Sequence, residues 1–201
     1  MEVKDLILYQ VATNRDFKVG DIITFQNEPN GQYEKVFNLN FNLNGQPIHK
    51  VGFDSLNKGL FKNKELIVNM SKALSNYDFI IRELALEEVR KEKFPNLPSR
   101  FSCMFLSDTE EVCLQNYKDF IASNKNKTYQ AIKVKVTGEA HYVKDFGIGR
   151  LGLSFNEYKQ EAEKYWSQNQ NSTTPTKEIL FSGQVEIIEI LEEYKILDSM
   201  F

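Results

Sequence analysis

Glu178 stands directly before an apolar run, Ile179-Leu180-Phe181, that continues into Ser182 and Gly183. A polar stretch, 167–176, precedes it and follows Tyr165-Trp166. A carboxylate at the mouth of a strand, fed by a segment that can face a second substrate, suits chemistry at a sugar C1. Positive charge develops there in the transition state, and a fixed negative group stabilises it. The competing reading is a solvated residue at a strand start, where charged side chains are common. Other constellations lack parts. The two histidines, His49 and His141, lie at no helical ligand spacing from a second His or Cys, and no Gly-x-Ser-x-Gly elbow occurs. Metal-assisted hydrolysis and a Ser-His-Asp triad are therefore disfavoured, and no metal is expected. His49 falls in an Asn/Gly-rich stretch and His141 follows a strand, so both read as surface or hydrogen-bonding residues. The glycines of 146–152 imitate a dinucleotide fingerprint, but without its strand-to-helix setting they read as a loop.

The elements that must position Glu178 are legible in part. Leu6-Ile7-Leu8-Tyr9 reads as a buried strand, and Thr13 to Asp16 as a turn into Val19-Gly20-Asp21-Ile22-Ile23. Asn, Gly and Lys with scattered Phe over 26–63 predict long loops or a hairpin insertion. Asp78 as N-cap, with Phe79, Ile81, Leu84, Ala85 and Val89 at helical spacing, predicts a helix reaching Phe94 and stopped by Pro95 and Pro98. Its charged residues Arg82, Glu83, Glu87, Glu88, Arg90 and Lys91 read as a solvated face with i,i+4 pairs. A strand is expected over 100–106. Asp108 with Glu111 resembles a capping box opening a helix through Cys113, Tyr117 and Phe120. Alternation over 129–137 predicts a half-buried strand that ends at Gly138. Ser154 and Glu157 form a second capping box, for a helix carrying Tyr158, Ala162, Tyr165 and Trp166. The last strand runs over 179–191 with a bend at Gly183. Tyr117, Phe120, Tyr158 and Tyr165 are core residues by spacing, whereas Trp166 borders the polar loop. Strands and helices without a βαβ rhythm give an α+β class.

A chain of 201 residues with 41% hydrophobic content fits one domain carrying a loop-rich insertion at about 26–63. Net charge is −3, which excludes a molecule-wide basic field for duplex nucleic acid. Cys103 and Cys113 lack the paired spacing of a zinc site or disulfide framework and read as reduced core residues, pointing to an intracellular, cytoplasmic protein. The first ten residues resemble neither a signal peptide nor a membrane span, and no internal repeat is evident.

Three stretches resemble the ADP-ribosyltransferase superfamily, the opening most nearly the small bacterial rifampin ADP-ribosyltransferases. In those, a strand bearing an aromatic-His-Gly-Thr signature is followed by a Val-Gly-Asp step. Here Leu8-Tyr9-Gln10-Val11-Ala12-Thr13 is followed by Lys18-Val19-Gly20-Asp21-Ile22-Ile23. The segment from Phe94 to Asp108 looks like a bacterial family of unknown function, grouped here with the same superfamily. Tyr165-Trp166 and Glu178-Ile-Leu-Phe-Ser-Gly match its loop-then-catalytic-glutamate order. The resemblance implies a single domain over 1–201 with a split mixed β-sheet flanked by helices, and NAD as substrate. Glu178 would hold the nicotinamide ribose 2′-hydroxyl and stabilise the oxocarbenium-like transition state. Tyr9 and Gln10 would bind the cofactor, Gln10 replacing the usual His. The second motif falls on Ser102 or Met104, with Ser102 preferred and Ser99 and Arg100 beside it. Arg100 has the planar fork that matches pyrophosphate oxygens, its competing role being an ordinary salt bridge. Tyr165 and Trp166 would face the acceptor, a nucleic acid, a protein or a small molecule such as an antibiotic. A toxin or phage-conflict effector with an antitoxin partner is the implied setting. A non-catalytic nucleotide-binding or interaction module and an NAD glycohydrolase are the alternatives.

Overall fold

The computed structural model describes residues 1–25, 28–38, 42–43, 46–47, 64–144, 152–168 and 178–196. In chain order the elements are β1 (Glu2–Thr13), β2 (Ile22–Phe25), α1 (Gly31–Phe37), β3 (Asn42–Leu43), β4 (Gln46–Pro47), α2 (Lys64–Lys93), β5 (Met104–Leu106), α3 (Glu110–Ser123), β6 (Tyr129–Val143), α4 (Phe155–Trp166) and β7 (Glu178–Tyr194). The class is α+β, as expected. The chain divides into two compact units, one of Met1–Glu28, Ser102–Asp145 and Asn169–Phe201, the other of Pro29–Phe101 and Phe146–Gln168. Of the 26–63 region, α1 and the small β3–β4 hairpin are described, and most of the remainder lies outside the described residues.

The first unit is a five-stranded sheet carrying α3. Its path is β1-β6-β7-β2, and β5 pairs with β7 along the same edge as β2. Every pairing among the described residues is antiparallel, which departs from the mixed sheet expected. The sheet also closes on itself. Just past β5, Ser107 exchanges both backbone hydrogen bonds with Tyr9 of β1, at 3.0 and 2.8 Å. The ring β1-β6-β7-β5 encloses Leu8, Met104, Leu106, Ile132, Val134, Val136, Ile179, Phe181, Val185 and Ile187, all buried. Alternation along each strand sends these residues inward, where apolar burial stabilises the ring. On the outer face Tyr9, Val11, Cys113, Tyr117, Tyr129 and Ala131 form a second cluster that seats α3. Thr109, not Asp108, is the N-cap of α3, its hydroxyl accepting from Val112 N at 3.3 Å.

β6 runs on past Gly138 to Val143, beyond the expected end. The reason is a partner distant in sequence. Gly138 pairs directly with Gly183 of β7, both with positive φ, +154° and +142°. A Cβ on Gly138 would stand 2.3 Å from Ser182 O, and one on Gly183 2.5 Å from Thr137 O. Glycine is required at both positions for the two backbones to approach this closely. Two register shifts further along bulge β7 and carry it to Tyr194, past the expected end at Leu191.

The second unit is built on α2. The helix begins at Lys64, so Asp78 lies in its middle and caps nothing. Its carboxylate instead accepts from Tyr158 Oη (2.6 Å) and Gly152 N (2.8 Å). The Ser154–Glu157 capping box opens α4 as the sequence predicts, and Tyr158, Ala162, Tyr165 and Trp166 are its buried residues. α1 is capped by Asn30, whose amide also donates to Arg100 O at 2.9 Å.

Candidate functional site

Register places the sheet residues of interest on one line across the strands. Glu178 is the first residue of β7 and pairs with Val143 of β6. On its other side the last β5 pair is Leu106 with Ile179, so one further step sets Ser107 beside Glu178, and Ser107 pairs in turn with Tyr9. Paired residues share a face, so Tyr9, Ser107 and Glu178 all stand on the outer face of the ring. Two strand spacings, roughly 10 Å, separate Tyr9 from Glu178. Glu178 is half-buried. Pairing with Val143 of β6 on one flank, and of the next residue Ile179 with Leu106 on the other, fixes its position.

His141 joins this group. It lies inside β6 and is only 4% exposed, not at the surface after a strand. It is paired with Leu180, two residues from the Glu178–Val143 pair on the same face, a diagonal neighbour of Glu178. Burial, helped by the Met1 ammonium, pushes its pKa down to about 4, so the imidazole is neutral near pH 7. Beside Val143, Tyr142 is held above the ordinary phenol range by burial and by Asp108, and Lys144 lies 5.7 Å from its ring centre.

Tyr9 and Gln10 cannot line one pocket, because consecutive strand residues point to opposite faces. Tyr9 packs on the α3 cluster. Gln10 pairs with Ile132 on the inner side, and its buried Oε1 has no hydrogen-bond partner among the described residues. Met104 is a buried residue of the ring interior. Ser102 sits in a turn ahead of β5, at the end away from Glu178. The residue that the β5 register carries toward Glu178 is thus Ser107, one step past the strand.

The other four sequence-chosen residues belong to the helical unit. Arg100 Nε donates to Glu83 Oε2 (2.8 Å), and Nη1 donates to Tyr165 Oη (2.5 Å). The guanidinium lies 5.3 Å from the Tyr165 ring centre. Glu83 is 1% and Arg100 9% exposed. Burial pushes the Glu83 carboxyl up, but Arg100 and Arg82 beside it outweigh that and hold it below the usual range. Ser99 Oγ donates to Glu87, which also takes a two-pronged contact from Arg90 at 2.9 and 2.8 Å. The charged face of α2 expected in solvent therefore includes two buried carboxylates, because the segment after the helix supplies their partners. Tyr165 and Trp166 stack edge to face at 4.8 Å, and Trp166 Nε1 donates to Leu86 O at 2.8 Å. Both rings are enclosed, so they shape the interior of the unit instead of presenting a face to an acceptor. Of the polar loop 167–176, residues 169 onward lie outside the described residues, as do His49 and 145–151.

Ser107 and His141 escaped the sequence reading. Alternation from Lys133 through His141 carries the signal for His141, and the strand-ending reading of Gly138 hid it. Ser107 has no local signal, since its place depends on ring closure. Among the described residues no three His, Cys, Asp or Glu side chains gather to hold a metal ion. No helix among them is long and apolar enough to cross a membrane.

A family model described as a protein of unknown function, DUF2441, matches residues 8–193. The chain belongs to the DUF2441 family. No curated protein matches it. The DUF2441 match runs from Leu8 through Glu193, and so takes in the strand end of Tyr9, Ser107, His141 and Glu178 together with the helical unit.

Proposed function

We propose that this chain transfers ADP-ribose from NAD to an acceptor, with Glu178 as the catalytic carboxylate. The observation that carries the reading is the row Tyr9–Ser107–Glu178, with His141 diagonal to it. It sets a preorganised anion, a hydroxyl, an aromatic ring and a neutral imidazole on one face at the head of the central strand. A carboxylate fixed before the reaction begins stabilises a developing cation without reorganising. In the reaction the bond between C1′ of the nicotinamide ribose and the ring nitrogen breaks, and its electron pair leaves with nicotinamide. An acceptor lone pair forms the new bond to C1′, and the acceptor's proton passes to solvent. With water as acceptor the same step is NAD hydrolysis. Ser107 and His141 offer hydrogen bonds to ribose hydroxyls in this reading, a task the resemblance assigns to Gln10 and Ser102. Arg100 carries little of the pyrophosphate charge, since Glu83 already balances it. Action as a cytoplasmic toxin or phage-conflict effector, restrained by an antitoxin, belongs to the same proposal.

The test incubates the protein and Glu178→Gln with labelled NAD and a cell lysate, following nicotinamide release and the fate of the label. Glu178→Gln lowers release by roughly 10²–10³-fold, the usual cost of one electrostatic group, while NAD binding persists. The labelled fraction names the acceptor class, and release without label marks a glycohydrolase. NAD binding with no release by the wild type means a non-catalytic module. No NAD binding at all sinks the NAD reading.

A further inference from the structure

We infer that the ring opens reversibly at one seam, between β1 and β5, and that this seam gates the candidate face. The joints of the ring are unequal. β6 is paired with β7 from Tyr129 to Val143, and with β1 from Glu2 to Thr13 apart from one irregularity between Val3 and Leu6. β5 is paired with β7 over Met104–Leu106. Between β1 and β5 the described residues make a single bridge, the two backbone hydrogen bonds that Tyr9 and Ser107 exchange. A folded chain opens first where the fewest bonds must break together. Neither strand has to leave its other neighbours: β1 keeps β6 and the outer cluster under α3, and β5 keeps β7.

A second observation falls at the same place. The antiparallel register of the bridge sets Gln10 opposite Leu106. Gln10 faces an interior lined by Leu8, Leu106 and Ile132, 2%, 3% and 0% exposed, and its buried Oε1 has no hydrogen-bond partner among the described residues. A buried acceptor without a donor favours any state that admits water to it. Opening the seam does so while the pairing of β6 with β7 stays whole, and burial of Leu8 and Leu106 draws the seam shut again. Opening also parts Tyr9 from Ser107 and interrupts the row that leads to Glu178. The face is therefore complete only while the seam is closed, whatever substrate it takes.

Amide hydrogen exchange on the whole chain, followed residue by residue by NMR, tests this. Because Tyr9 directs its N–H to Ser107, alternation turns the N–H groups of Leu8 and Gln10 to β6, where they are paired with Val134 and Ile132. One strand thus carries both the probe and its control. In the wild type Tyr9 and Ser107 exchange roughly 10-fold or more faster than Leu8 and Gln10 once intrinsic rates are divided out. Gln10→Met removes the unsatisfied oxygen at similar size and slows exchange at Tyr9 and Ser107 roughly 5-fold or more, a response that fraying of a lone hydrogen bond would not give. Gln10→Leu serves the same purpose should the methionine disturb packing. Tyr9 and Ser107 amides as protected as those of Leu8 and Gln10, or seam exchange unmoved by both Gln10 variants, overturns the inference.

Discussion

Glu83→Gln isolates the buried charge pair of the helical unit. The substitution keeps the shape of the side chain and removes its charge. It leaves the Arg100 guanidinium, 9% exposed, against a neutral amide, with the Tyr165 hydroxyl still beside it. Breaking a buried pair by neutralising one member costs about 3–5 kcal/mol, because the remaining charge stays out of water. Against a total stability of about 5–15 kcal/mol this is a large fraction. The lone tryptophan supplies the assay. Trp166 is enclosed in the same unit beside Tyr165, so its fluorescence during urea unfolding reports that unit. The midpoint falls by roughly 1–5 M urea at the slopes of about 1–3 kcal/mol/M usual for small proteins. Glu83→Leu combined with Arg100→Met recovers most of the loss, since an apolar pair of similar volume carries no desolvation penalty. The pH dependence has a definite sign. The folded carboxyl is held below its ordinary 4.5, so the pair's contribution is fully present above pH 4.5 and is lost as pH falls through the folded value. A midpoint unchanged in Glu83→Gln, or a double variant as unstable as the two single losses added together, would refute the reasoning.

Gly183→Ala forces a Cβ to within 2.5 Å of Thr137 O and 2.8 Å of Gly138 Cα, backbone atoms that cannot yield, and costs about 2–5 kcal/mol in thermal denaturation. Gly20→Ala has φ +95° and open space around it, so strain of about 1–2 kcal/mol is its whole cost; equal losses at the two glycines would contradict the close-approach argument. His141, with an unfolded pKa of 6.5 and a folded one of about 4, binds more protons when unfolded. Stability therefore declines as pH falls from about 6.5 to 4, by up to about 3 kcal/mol. His141→Gln flattens that window, and melting curves that slope identically in both proteins would count against it.

The parts of the fold that the sequence disclosed are those whose causes lie within one turn or one strand. Ser154 and Glu157 satisfy each other across three residues, so α4 was legible before any tertiary contact is known. The apolar run after Glu178 likewise announced β7. Gly138 was misread because a glycine ends a strand in most settings, and what prevents that here is Gly183 on another strand. Asp78 is a good cap by type, yet 64–77 are helical too, and its partners Tyr158 and Gly152 arrive from far along the chain. Glu83 and Glu87 looked solvated because carboxylates are rarely buried without partners, and those partners, Arg100 and Ser99, lie beyond two prolines. At the candidate site Glu178 could be found from residue type and its place before a strand, and Tyr9 only from the resemblance, whereas Ser107 enters through the hydrogen bonds that close the ring.

That closure also sets an order of events during synthesis. β1 is translated first, but its partner β6 begins at Tyr129, and Gln10 and Ile132 are paired across about 120 residues of chain. At ~5–20 residues per second the ribosome needs roughly 6–24 s to deliver that partner, and longer to deliver β7. Until β6 is made, the strand carrying Leu6, Leu8 and Tyr9 has only the single bridge from Tyr9 to Ser107 to join. The nascent chain thus exposes an apolar strand for seconds, the situation in which chaperones bind and mispairing competes. The ring can shut only after the residue that begins its last strand, Glu178, has been made, so the candidate catalytic face is assembled among the final steps of folding.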